Sequence, residues 1–222
     1  IDTMTVSPNS FTCANVGSNT VTLTVTDVNG NSSTCTATVT VEDNVNPLAE
    51  CQDITVQLLP DGTATIVAGD VNNGSSDACG IASLSVSPSS FTCANVGANT
   101  VTLTVTDVNG NVSTCTSTAT VLDQVAPLAV CQNITISLSG TGNASITSAQ
   151  IDNGSSDACG IATITVSPNT FTCANVGTNN VVLTVTDVNG NVSICSAVVT
   201  VQDNTAPVAV CQNISVPLNT GG

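Results

Sequence analysis

The sequence predicts an all-β chain: an array of antiparallel β-sandwich modules of 80 residues each, closed by disulfides. Three observations carry this: an 80-residue period, short runs of period-two hydrophobicity, and regularly spaced cysteines. The period shows in the cysteines first. Cys13, Cys93 and Cys173 lie 80 apart, as do Cys35, Cys115 and Cys195, then Cys51, Cys131 and Cys211, and Cys79 and Cys159. The text between them repeats too, with SPNSFTCANVG from Ser7 returning as SPSSFTCANVG from Ser87 and SPNTFTCANVG from Ser167. A fixed period of this length marks an array of like modules. It divides the chain into residues 1–43 (the second half of a copy), 44–123 and 124–203 (complete copies) and 204–222 (the start of another). Ile1 aligns with Ile81 and Ile161, so the chain reads as a window on a longer polypeptide.

Within a copy, the clearest strand is Asn99 to Asp107. Val101, Leu103 and Val105 share one face and Thr100, Thr102, Thr104 and Thr106 the other, the alternation of a half-buried strand. Val108-Asn109-Gly110-Asn111 follows, and Asn-Gly is a hairpin signal because both residues tolerate positive φ. The return strand is Val112 to Val121, with Cys115, Ala119 and Val121 on one face and Ser117 as a weak spot where other copies have Ala37 and Ala197. In the next copy Ile134, Ile136 and Leu138 alternate, Ala144 and Ile146 mark a second strand, Asp152–Gly160 is a turn-rich loop, and Ile164–Pro168 is another strand. Phe91 and Phe171 are the lone aromatic residues of their copies and read as core anchors. Six or seven short strands between Gly, Asn and Pro turns indicate a sandwich.

Composition removes several function classes. The chain has no Lys, Arg or His against 15 Asp and Glu, a formal charge of −15. A nucleic-acid binder needs cations to neutralise phosphates, and a polybasic membrane anchor needs them as well. Catalysis lacks its commonest base and its amine nucleophile. Carboxylates that repeat in turns of every copy do not suggest one catalytic site, so no enzyme is expected. No apolar run approaches the roughly 18 residues of a membrane span. Eleven Cys without His or a C-x-x-C pair do not resemble zinc ligands. They suit disulfides, which imply an oxidising, extracellular compartment.

Four cysteines per copy allow three connectivities. Strand order favours Cys51–Cys115 with Cys79–Cys93, and Cys131–Cys195 with Cys159–Cys173. Cys13, Cys35 and Cys211 would then have partners only outside the chain.

The stretch from Cys131 through DACG, FTCANVG and LTVTDVNGNVSIC to VQDNTAP resembles the HYR (hyalin repeat) module. The marks are the first-strand Cys, the hairpin Asp187–Asn191, Cys195 shortly after it, and V-x-D-x-x-A-P at Val201–Pro207. The resemblance covers all four full and partial copies. It implies an immunoglobulin-like extracellular fold. The short, cation-free version is similar to tandem repeats in giant surface adhesins of gliding bacteria, which implies a cell-surface stalk supporting adhesion and gliding motility. HYR modules often carry a Cys-Pro and aromatic residues that are absent here, so no ligand surface carries over.

In such a topology three acidic segments meet at one end of each copy. In the second copy these hold Glu42 and Asp43, then Asp70 and Asp77, then Asp107, Asn109 and Asn111. In the third they hold Asp123, then Asp152 and Asp157, then Asp187, Asn189 and Asn191. Hard oxygen ligands without a nearby cation suit Ca²⁺, and D-x-N-G-N resembles the start of known calcium loops. The same residues also make good turns through local backbone hydrogen bonds. Both readings stand on the sequence.

The expected function is a non-enzymatic stalk. Its partners are neighbouring repeats of the same chain, with surface glycans or other cells contacted through regions outside residues 1–222, and with neither nucleic acid nor membrane touched directly. Two alternatives are a self-assembling extracellular filament and a carbohydrate-binding accessory module. The absence of Trp and Tyr counts against the second.

Overall fold

The computed structural model describes residues 1–221. Two compact units emerge, Ile1–Gln124 and Val125–Gly222. The first partial copy contributes β1 (Thr3–Ser7), β2 (Gly17–Thr26) and β3 (Ser32–Val41). The second contributes β4 (Ile54–Gln57), β5 (Thr63–Thr65), a one-turn helix α1 (Ala68–Val71), β6 (Ile81–Ser87), β7 (Ser90–Thr92), β8 (Gly97–Asp107) and β9 (Val112–Leu122). The third repeats this with β10 (Ile134–Ser137), β11 (Asn143–Ser145), α2 (Ser148–Ile151), β12 (Ile161–Ser167), β13 (Thr170–Thr172), β14 (Gly177–Asp187) and β15 (Val192–Gln202). The chain is therefore all-β, as its alternation predicts.

Each complete copy is a two-layer sandwich of unequal sheets. A four-stranded sheet, ordered β4-β9-β8-β6 or β10-β15-β14-β12, lies over a two-stranded one, β5-β7 or β11-β13. The core forms between them. In the third copy Leu138, Ile146, Ile151 and Phe171 pack against Val181, Leu183, Val185, Ala197, Val199 and Val201. Phe91 and Phe171 are buried, as the anchor reading requires. Valine and leucine at alternate positions of β8 and β14 point inward, and the intervening threonines lie at or near the surface.

Not every pairing is antiparallel. The short first strand of each complete copy runs parallel to the last, with Ile54 opposite Ala119 and Ile134 opposite Val199. Parallel neighbours need a long crossover, and here the body of the copy supplies it. In the first partial copy β3 has β2 on one side and, among the described residues, no strand on the other. Ala37 is exposed there, whereas Ala119 and Ala197 are buried.

The hairpin signal holds, but its geometry differs from the expectation. Asn109 does not take positive φ; only Gly110 does, at 94°. Gly110 N–H donates to the Asp107 carbonyl and Asp107 N–H to the Asn111 carbonyl. This is a three-residue loop with glycine in the left-handed position.

The long disulfides form as predicted: Cys51–Cys115 at a Cα separation of 5.9 Å and Cys131–Cys195 at 6.0 Å. The short ones do not. Cys79 is bonded to Cys13, 66 residues earlier, at 5.1 Å between Cα atoms, and Cys173 is a free thiol. Cys79–Cys93 and Cys159–Cys173 are thereby ruled out. The reason is the strand between the two cysteines of each pair. Seven residues of β6 carry the chain about 23 Å at ~3.3 Å per residue, well beyond the roughly 7 Å limit for a bridge. Cys93 and Cys159 are both disulfide-bonded. The free thiols are Cys35, Cys173 and Cys211, so Cys13 has its partner inside the chain after all.

Candidate functional site

The acidic segments expected at the start of the second copy converge only in part. Asp43 follows β3, in the linker between the first two copies. Asp77 lies in the loop before β6. Their carboxylate oxygens and the Cys79 sulfur all lie within 4.8 Å of one another. That sulfur is spent in the bridge to Cys13, so it is no thiolate ligand. The usable donors are two carboxylates.

The two carboxylates are held differently. Asp77 Oδ1 accepts from the backbone of Cys79 at 2.7 Å and of Gly80 at 3.1 Å, which fixes the loop. Asp43 Oδ1 accepts from Val45 N–H at 3.1 Å, while Oδ2 is buried with no hydrogen-bond partner. A buried carboxylate oxygen without a donor is costly, and no Lys, Arg or His exists in the chain to offset it.

The Asp-Val-Asn-Gly-Asn hairpin is saturated by its own hydrogen bonds. Asp107 Oδ1 accepts from Asn109 N–H at 2.9 Å and Asn111 N–H at 2.8 Å, and Oδ2 accepts from the Asn111 amide at 2.8 Å. Burial pushes the Asp107 carboxyl up, but the Asn111, Asn109 and Gly110 hydrogen bonds together outweigh it and hold it below the ordinary value. Asp187 repeats this with Asn189 and Asn191, and its carboxyl is lowered against the same opposing effect of burial. The Asn109 and Asn189 side chains are exposed. Asn111 contributes by another route: its amide also donates to the Asp43 carbonyl at 3.0 Å, tying hairpin to linker.

Two predicted ligands do other work. Asp70 is exposed, and its Oδ2 accepts from Val67 N–H at 2.7 Å, capping α1. Asp152 follows α2, pairs with Cys131 in an isolated bridge, and accepts from Ser155 N–H at 3.0 Å. Hydrogen bonds from Ser155 hold its carboxyl below the ordinary value despite partial burial. In the third copy Asp157 Oδ1 accepts from Cys159 and Gly160 N–H as Asp77 does one period earlier. Asp123, one period after Asp43, is buried.

Ca²⁺ takes six to eight oxygen ligands. Asp43 and Asp77 supply two carboxylates, one with a buried oxygen that lacks a donor, and the donor type fits a hard cation. Backbone carbonyls, amide oxygens or water would have to fill the remaining positions. No helix is long and apolar enough to cross a membrane among the described residues.

No known family profile matches the sequence, and no curated protein matches it. Several solved structures are similar to it at low identity. Extracellular cadherin domains 1–4 of protocadherin gamma B7 align at 11% identity over 86% of this chain and 59% of that one, TM-score 0.36. The chain thus spans about three fifths of that protocadherin's length. The fibronectin(III)-like modules of Clostridium thermocellum CbhA align at 13% identity over 95% and 100% of the two chains, TM-score 0.28. Domains 1–2 of human mucin-like protocadherin align at 14% over 71% and 98%, TM-score 0.33.

Proposed function

We propose that the chain is a non-enzymatic structural array, the extracellular stalk of a large cell-surface adhesin of the HYR type, serving adhesion and gliding motility. One observation carries the reading: successive copies are near-identical sandwiches, each complete one closed by its own bridge of 64 residues' separation. Such bridges persist in oxidising surroundings. With no cation and no aromatic residue beyond three Phe, the surface offers little to nucleic acid or sugar. Inserting one further 80-residue period in phase tests this directly. A stalk gains a fixed increment of hydrodynamic length and stays folded; an unchanged length or a collapsed chain refutes it.

Calcium belongs to this proposal. Bound between Asp43 and Asp77, it would neutralise the paired carboxylates where the first two copies meet.

A further inference from the structure

We propose that the Cys13–Cys79 bridge, and not the peptide linker, is what holds the first two copies together and carries load between them. The inference rests on the stalk reading for the load, and on connectivity alone for the holding.

Cys13 belongs to the first copy and Cys79 to the second, so the bridge crosses the boundary that the sequence period sets at residues 43 and 44. The linker lies wholly inside the loop that this bridge closes. Along the backbone the two cysteines are 66 residues apart; through sulfur their Cα atoms are 5.1 Å apart. A stretched chain of that length would span more than 200 Å at about 3.3–3.6 Å per residue. Tension across Cys13 and Cys79 therefore cannot pay out the residues between them, β2, β3 and the linker included. From Cys13 to Cys93, one full period, the shortest covalent route runs through the bridge and then only the 14 residues from Cys79 to Cys93.

Both ends of the bridge lie in hydrogen-bonded turns beside regular structure. Cys13 opens the turn that leads into β2, where the Asn15 side chain accepts from Thr12 N–H at 2.9 Å. Cys79 sits in the loop pinned by Asp77, and the adjoining Gly80 carbonyl accepts from Val108 N–H at 3.1 Å. Load entering at Cys79 thus passes into the β8–β9 hairpin, a long antiparallel ladder. Cys93 and Cys159 stand one period after Cys13 and Cys79, and both are in disulfides.

The composition supplies a clean test. The chain has two glutamates, Glu42 and Glu50; both are exposed, and they flank the linker. With free thiols first blocked by alkylation, a glutamate-specific protease should cut the full chain there. We expect residues 1–42 to stay attached in denaturant without reductant, and to be released when dithiothreitol is added. Cleaved chain tethered at its two ends should likewise hold tension until reductant arrives. In a Cys13→Ser variant the 1–42 fragment should separate without reductant. Release of that fragment from the unreduced wild-type chain would overturn the proposal, while leaving the stalk reading to its own length measurement. If Cys13→Ser fails to fold, the reductant arm on the wild-type chain still decides.

Discussion

The side-chain amide of Asn111 donates to the backbone carbonyl of Asp43, 68 residues away, at 3.0 Å. The same amide donates to Asp107 Oδ2 at 2.8 Å. One asparagine thus closes the hairpin of the second copy and fastens the linker that leads into it. Asn111→Ala removes both bonds and leaves two acceptors short of a donor. The expected cost is about 1–3 kcal/mol, read as a lower melting temperature. Asn109→Ala should be close to neutral, because Asn109 contributes its backbone N–H while its side chain is exposed.

Acid should weaken the fold through the same turns. The Asp107 and Asp187 carboxyls are held below the ordinary aspartate range in the folded chain, where hydrogen bonds outweigh the opposing effect of burial. A carboxyl lowered on folding stabilises the fold above its unfolded pKa, and that stabilisation is lost as pH falls through the folded value. The melting temperature should therefore hold steady above about pH 5 and fall below about pH 4. Asp107→Asn, which keeps an acceptor oxygen but not the charge, should flatten that fall.

Ser117 is a site for stabilisation. It is buried, and its Oγ has no hydrogen-bond partner. Its counterparts are Ala37 and Ala197. Ser117→Ala removes an unsatisfied hydroxyl and should raise stability by about 1 kcal/mol, measured by chemical denaturation.

Phe171 fills the centre of the third copy's core and is 2% exposed. Phe171→Ala should cost about 3–5 kcal/mol. The expected readout is a lower denaturation midpoint for Val125–Gly222, with the first unit's transition unmoved.

What was legible in the sequence was local. Val101, Leu103 and Val105 alternate with threonine, and the strand, its buried face and the hairpin after it follow from that spacing. The long bridges were also legible: Cys51 lies three residues before the first strand and Cys115 on the last, and these two strands pair. The parallel pairing of β4 with β9 was not, because period-two hydrophobicity is the same in either direction. The Cys13–Cys79 bridge was hidden for a different reason: it crosses the repeat boundary, and counting cysteines within one copy cannot find it. The length of β6 between Cys79 and Cys93 was the available warning. Among the acidic residues, sequence spacing could not separate Asp43 and Asp77, which meet, from Asp70, which caps a helix turn.

Calcium should stabilise the fold if Asp43 and Asp77 hold it. At a concentration one hundred times the dissociation constant the gain is about 2.7 kcal/mol. The melting temperature should rise with calcium and fall back with EDTA, and Asp43→Asn should abolish the response. An unchanged melting temperature in all three conditions leaves the hairpins and loops as turns alone.

The account depends most on how the cysteines are joined. Mass spectrometry of unreduced, alkylated peptides measures this directly. It should recover Cys13 linked to Cys79, Cys51 to Cys115 and Cys131 to Cys195. Recovery of Cys79 linked to Cys93 would contradict it.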